Sequence, residues 1–316
     1  MRPCRWLLVP LLGLALGHTG CRPAAPASAL PALEPSHFDG DRALYEVHGL
    51  VALGARDAGT PGAERAARYL RDRLQQVGVS AEIDTFTNRT PAGERVFHNV
   101  IGRLPGRSPG LIVVGSHFDT KSGIALDFQG ANDSGSSSGA LLELARVLAA
   151  HASPGPAIEL VFFDAEEALY NYSEIDGLLG SRHHAKRLVA EGRAREVLGV
   201  LVLDMIGDRD LTVTIPRNVT RELAILLLRA ADAEGQRGKF TLYPFEIGDD
   251  HEPFLQRGMP ALDVIDFHYG SGPGRNDYWH TRQDTLDKLS AESLGLIGRI
   301  TIRMIHDLSA PAGHGD

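Results

Sequence analysis

Cysteine is nearly absent from this 316-residue sequence: Cys4 and Cys21 are the only two, so no disulfide can form within the chain beyond residue 21. Long hydrophobic runs are missing as well. The apolar stretch from Trp6 to Leu16 has 11 residues, against the roughly 20 that span a bilayer. Aromatic residues make up 6%, the formal net charge is -8, and no basic run is interleaved with aromatics. A phosphate backbone would find no complementary field here, which excludes nucleic acid as a partner. At 43% hydrophobic and 23% charged, the composition is that of a chain with a sizeable core.

The N-terminus carries Arg2 and Arg5, then the apolar stretch, then small residues, the layout of an export signal over residues 1–20. Leu16-Gly17-His18-Thr19-Gly20-Cys21 resembles a bacterial lipoprotein cleavage site, with Gly20 ahead of the cysteine and His18 where an aliphatic residue is usual. Cleavage after Ala27-Ser28-Ala29 is the competing reading. The expected location is therefore outside the cytoplasm, lipid-anchored at the cell envelope through Cys21 or free in the periplasm or medium. Residues 21–40, rich in Pro and Ala, read as a linker. Residues 41–312 read as one catalytic domain without repeats, and a monomer is expected.

From about Leu44 onward, strand-length apolar runs alternate with amphipathic stretches of helix length, the pattern of a mostly parallel sheet covered by helices. Helices are expected at 62–77, 138–150, 178–190, 221–233 and 292–308, and strands at 80–86, 96–102, 111–115, 157–163, 198–204 and 261–267. The run Ala157 to Phe163 is nearly continuous in apolar residues, as a strand buried on both faces should be. Active sites in such folds gather at the carboxyl ends of the strands.

Four acidic or histidine clusters stand in or directly after strand-like stretches: Ser116-His117-Phe118-Asp119, Ala131-Asn132-Asp133-Ser134, Asp164-Ala165-Glu166-Glu167 and Leu203-Asp204; a fifth is Tyr278-Trp279-His280-Thr281. Singly each is weak, because an Asp after a strand is more often a helix cap and a lone His more often a satisfied core or surface group. Jointly they would meet at one sheet edge. Zinc takes His nitrogen and carboxylate oxygen at about 2.0 to 2.2 Å, and a catalytic site needs three protein ligands and an open position. Asp133, Glu167 and His280 supply that set, and His117 and Asp204 could complete a second site with Asp133 as the bridge. Of the adjacent pair Glu166-Glu167, one can ligate while the other, off the metal, moves protons. A solvated acidic loop is the bland alternative.

The segments His117-Phe118-Asp119-Thr120-Lys121, Ala131-Asn132-Asp133-Ser134, Phe162-Phe163-Asp164-Ala165-Glu166-Glu167-Ala168, Gly180-Ser181-Arg182-His183, Leu203-Asp204-Met205-Ile206-Gly207 and Trp279-His280 resemble the zinc aminopeptidase and glutaminyl cyclase superfamily. Within it the chain is most similar to the animal-type glutaminyl-peptide cyclotransferases. The similarity lies in Glu82-Ile83-Asp84-Thr85-Phe86 with Thr90-Pro91, Arg95 and Asn99-Val100-Ile101, in the long insert from Ala168 to Leu179, and in Asp249-Asp250-His251 before Pro253-Phe254-Leu255.

This resemblance implies a three-layer α/β sandwich of the zinc exopeptidase type, one zinc ion with two as the alternative, and peptide or protein N-termini as substrate. It implies zinc on Asp133, Glu167 and His280, with Glu166 as proton carrier and Asp204 and Asp249 as its hydrogen-bonded carboxylate partners. Trp279 and Tyr172 would line the substrate pocket. Tyr172 stands where animal cyclases have Trp, Gly248 replaces a Gln, and the Gly-rich stretch 268–277 departs from the pattern. The rival activity is a zinc aminopeptidase, and a non-catalytic surface binding protein is the second rival. His183 and His184 read as solvated or capping residues at a helix start, His251 as structural or supporting, and the glycines and serines from Gly135 to Gly139 lack the lysine of a phosphate loop.

Overall fold

A computed structural model describes residues 30–153 and 155–310, with the isolated residues 1 and 3. Cys4, Cys21 and most of the expected signal and linker lie outside the described residues. Among the described residues, no helix is long and apolar enough to cross a membrane.

Helix α1 (Gly40–Val51) starts at Asp39, whose side chain accepts from the N–H groups of Asp41 and Arg42. Helix α2 (Pro61–Gln76) has Pro at its first position and Thr60 as its cap. Strands β1 (Ser80–Thr90) and β2 (Gly93–Leu104) form an antiparallel hairpin. The alternating order then takes over: β3 (Leu111–His117), α3 (Ser137–Ala150), β4 (Ala157–Phe163), α4 (Leu179–Ala190) and β5 (Val197–Asp204). Next come β6 (Val213–Ile215), α5 (Arg221–Ala233), β7 (Phe240–Leu242), α6 (Glu252–Leu255), β8 (Ala261–Ile265) and α7 (Ala291–Ser309).

The main sheet has six strands in the order β1-β2-β4-β3-β5-β8. Strands β4, β3, β5 and β8 run parallel, and β2 joins β4 antiparallel. The sheet is thus mixed and mostly parallel, as the alternation of apolar runs implied. Side chains alternate between two apolar layers. Ile112, Val114, Leu160, Phe162, Leu201 and Leu203 face the larger layer, which includes Leu70 of α2, Leu141 of α3 and Ile297 of α7. Leu111, Val113, Val161, Phe163, Val200 and Val202 face the other, with Leu188 of α4 and Phe254 of α6. Each such buried side chain contributes roughly 1.5–3 kcal/mol.

Three features differ from the expectation. The hairpin strands run longer than 80–86 and 96–102, because the polar segment Thr87-Asn88-Arg89-Thr90 pairs along an edge without needing burial. The two-stranded sheet β6-β7 was not foreseen, its strands being three residues each. The chain also joins the core ahead of residue 41: Leu33 and Phe38 are buried in the larger layer, and Gly298 of α7 leaves the space the Phe38 ring occupies.

Candidate active site

The parallel register brings chemistry to one edge. His117 ends β3 beside Phe163 of β4, and Asp204 ends β5 beside Ile265 of β8. Asp164 to Glu167 follow β4 directly, while Asp133 comes from an irregular turn, Ala131–Ser136, that runs into α3. His280 arrives from the loop before α7. Three of these segments turn on non-glycine residues in the left-handed region: Ala165 (φ 58°), Met205 (φ 46°) and His280 (φ 54°). Such residues cost about 1–3 kcal/mol each and gather at functional sites.

His280 Nε2 lies 2.8 Å from Glu167 Oε1 and 3.2 Å from Asp133 Oδ2. On the other side of Asp133, His117 Nε2 is 3.0 Å from Asp133 Oδ1 and 3.3 Å from Asp204 Oδ1. Asp133, Glu167 and His280 each offer a ligand atom, all within 4.8 Å of one another; His117, Asp133 and Asp204 form a second such group. Asp133 Oδ2 and Glu167 Oε2 are buried without a hydrogen bond. Two carboxylate oxygens and one imidazole nitrogen, converging with unmet acceptor capacity, fit a divalent cation with an open position.

Burial pushes the Glu166 and Glu167 carboxyls above the usual range, and burial takes Asp204 to about 7 although His117 opposes it. For Asp133, burial is outweighed by the neighbouring imidazoles of His117 and His280, which hold it low. Burial likewise works against a charged His280, but Asp133 and Glu167 raise it to about 9. So many carboxylates in one dry place require positive charge.

Part of that charge is Arg56, fully buried, which donates to the carbonyl oxygens of Phe118, Gln129 and Gly130. Burial lowers its pKa to about 10, against the pull of Asp284, Asp119 and Asp133. Lys121 Nζ lies 3.3 Å from Glu167 Oε2.

Backbone anchors fix the candidate ligands. Asp119 accepts from the N–H groups of Glu166 (3.1 Å) and Glu167 (3.2 Å). Asp284 accepts from the N–H groups of Asn132 (2.7 Å) and Asp133 (3.2 Å) and from the Tyr269 hydroxyl (2.9 Å). Asn132 in turn accepts from Gly207 N–H and donates to Met205 O, tying the Asp133 turn to the end of β5. Gly180, in the first turn of α4, has no side chain because a Cβ would sit 2.4 Å from Asp164 O and 2.5 Å from Asn99 Oδ1.

Residues 99–305 match peptidase family M28. The chain belongs to that family. It is 31% identical over 282 residues to a glutaminyl-peptide cyclotransferase of Boiga irregularis, covering 78% of this chain and 75% of the relative. The crystal structure of an Acidobacteriales bacterium glutaminyl cyclase superposes with a TM-score of 0.81 at 37% identity, over 90% of this chain and 98% of that one. A Zn-dependent exopeptidase from Parabacteroides distasonis gives a TM-score of 0.73 at 25% identity, over 88% and 100%.

Around these residues a narrow cleft is lined by Glu166, Tyr172, Asp204, Asp249, Ile247, Phe267, Trp279 and the Asp133, Glu167 and His280 triad. Trp279 stacks on the His280 ring at 3.9 Å and meets Phe267 edge-on at 5.2 Å. One expectation is corrected. Among the described residues Glu166 takes its side-chain hydrogen bond from Tyr172 (2.9 Å), not from Asp204 or Asp249. Asp204 meets His117 instead, and Asp249 accepts from Asp250 N–H. Carboxylates repel one another unless they share a proton, so each turns to the nearest donor.

Sequence reading did not single out Arg56, Asp284 or Asp263. Asp263 carried a signal, a lone carboxylate in the apolar strand Ala261-Leu262-Asp263-Val264-Ile265, and it is fully buried near Asp249 and His251. His183 and His184 are not among the residues lining the cleft, and His184 is buried rather than solvated. His183 stacks on Phe86 at 4.1 Å, and His184 lies 3.2 Å from Glu159. His251 Nε2 donates to Asn218 O (3.0 Å), and the ring is buried.

Proposed function

We propose that this chain is a zinc-dependent glutaminyl-peptide cyclotransferase that converts the N-terminal glutamine of peptides to pyroglutamate with release of ammonia. The observation that carries the reading is Glu166. Its carboxylate stands beside the Asp133, Glu167 and His280 triad without belonging to it, in the cleft that Trp279 and Phe267 also line. Likeness to glutaminyl cyclases over nearly the whole chain supports it.

Asp133, Glu167 and His280 would hold one zinc ion, which when bound supplies a Lewis acid for a carbonyl oxygen. Glu166 takes a proton from the substrate's α-amine as the nitrogen closes on the γ-carbonyl carbon, then gives it to the departing amide nitrogen. The new C–N bond forms, the old one breaks, and ammonia leaves. A raised pKa suits Glu166 to this exchange, since a carboxyl that both takes and returns a proton works best near the operating pH. Trp279, Phe267 and Ile247 wall the cleft with apolar surface and exclude the water that would otherwise compete.

A second reading, hydrolysis of N-terminal residues by a two-metal aminopeptidase, is favoured by one observation: His117, Asp133 and Asp204 are also spaced for a cation. A Gln-Xaa peptide and a Leu-Xaa peptide separate the two. The cyclase releases ammonia from the first and leaves the second intact; free leucine without cyclised product selects the aminopeptidase.

We propose further that residues 1–20 export the protein, that it is held at the cell envelope by a lipid on Cys21 or else free in the periplasm or medium, and that it acts as a monomer. Replacing Cys21→Ser should move it from the membrane fraction to the soluble fraction, and an unchanged distribution removes the anchor. Light scattering at twice the monomer mass would remove the monomer.

A further inference from the structure

We propose that Tyr172 is a positioning residue for Glu166, and that residues 168–179 form a rigid arm whose purpose is to deliver its hydroxyl. This rests on the reading of Glu166 as the proton carrier.

The Glu166 backbone is fixed by Asp119, but that leaves the carboxylate free. Its terminal torsion is broad and two-fold, so only a partner on an oxygen orients it. The Tyr172 hydroxyl is that partner, donating to Oε1 at 2.9 Å. Among the described residues Oε2 makes no hydrogen bond, which leaves one oxygen for the substrate and one for the tyrosine. A carboxylate so held cannot swing toward the neighbouring triad.

The arm is built to put the hydroxyl there. The buried carboxylate of Asp176 accepts from the N–H groups of Leu169, Tyr170 and Asn171 at 2.6, 2.9 and 3.1 Å. Lys121 Nζ donates to Ala168 O at 2.6 Å, and Leu178 N–H closes the arm on Glu166 O at 2.9 Å. Gly177 matters twice. Its φ of +81° suits glycine, and a Cβ there would lie 2.4 Å from Tyr172 Cδ1 and 2.7 Å from Cε1.

Hydrophobic burial does not explain this anchoring, because Tyr172 remains 45% exposed. A half-exposed ring held by a carboxylate clip and a required glycine is placed for its hydroxyl.

Tyr172→Phe keeps the ring and removes the donor. On a Gln-Xaa peptide it should lower kcat about tenfold, part of the 10²–10⁴ that positioned proton transfer supplies, with KM within about twofold. Gly177→Ala keeps the hydroxyl but displaces the ring, and should lower kcat similarly. The double variant should lose no more than either alone, since both break one contact. Wild-type kcat in Tyr172→Phe, or losses that multiply in the double variant, would overturn the proposal. Running all variants on a Leu-Xaa peptide as well keeps the two claims apart. Leucine release by the wild type would refute the cyclase reading while Tyr172→Phe still tests the tyrosine, and turnover of neither peptide would refute both.

Discussion

His280 and Glu167 stand 113 residues apart in sequence, yet His280 Nε2 and Glu167 Oε1 are 2.8 Å apart, with Asp133 Oδ2 3.2 Å from the same nitrogen. That convergence joins the end of a strand to two irregular segments. Strands β3, β4 and β5 deliver His117, the Glu pair and Asp204 to one edge, and Asp284 pins the Asp133 turn four residues beyond His280.

Removing the metal should abolish turnover. Dialysis against a strong chelator is expected to leave a folded but inactive protein with a lower melting temperature, because a ligand that binds only the native state stabilises it by mass action. Zinc should restore activity and melting temperature together. His280→Ala should bind zinc too weakly for that restoration; a variant that recovers like the wild type would take His280 out of the ligand set.

Glu166→Gln separates ligation from proton transfer. Zinc content, read by metal analysis, should stay at the wild-type level while ammonia release falls by roughly 10²–10⁴. Retained turnover would assign the proton carrier elsewhere.

Asp284→Ala tests the support beneath Asp133. It strips the partner from two backbone N–H groups and the Tyr269 hydroxyl in a fully buried place. A loss of roughly 1–3 kcal/mol per orphaned group bounds the effect from above, and zinc affinity should fall about 10–100-fold. Denaturant melts of the metal-free protein and a zinc titration measure the two, and wild-type values in both would show the anchor to be idle.

Glu159 gives a pH signature remote from the metal. Burial would raise its carboxyl, but His184 at 3.2 Å and Arg193 at 2.8 Å outweigh burial and bring it from 4.5 down to about 2. A folded-state value below the unfolded one stabilises the protein above pH 4.5, and that contribution disappears as pH falls toward 2. Glu159→Gln should therefore be less stable than the wild type at neutral pH, with the gap closing between about pH 4.5 and 2. A gap that stays constant over that range would contradict the assignment.

The parts of the fold that sequence revealed are those where one physical rule acts alone. The runs at 111–117, 157–163 and 197–204 are apolar on both sides because both faces of β3, β4 and β5 are covered, and their acidic or histidine ends stand out by contrast. His280 lies in an irregular loop, so its partnership with Glu167 came from residue chemistry and family resemblance rather than periodicity. The Tyr172 contact with Glu166 was hidden, since it depends on the path of the arm from Ala168 to Leu179, which Asp176 and Gly177 set through local hydrogen bonds and sterics. Arg56 was hidden too, because three carbonyl oxygens from distant loops satisfy it and nothing in Ala55-Arg56-Asp57 marks a buried cation.

The central claim is that the substrate's own amine, not water, attacks the carbonyl carbon. Mass spectrometry of a Gln-Xaa peptide turned over in ¹⁸O-labelled water tests it most directly. The expected product is lighter by about 17 Da, the mass of one ammonia, and carries no label. A product bearing ¹⁸O, whether glutamate at the N-terminus or a shortened peptide with free glutamine, would contradict it.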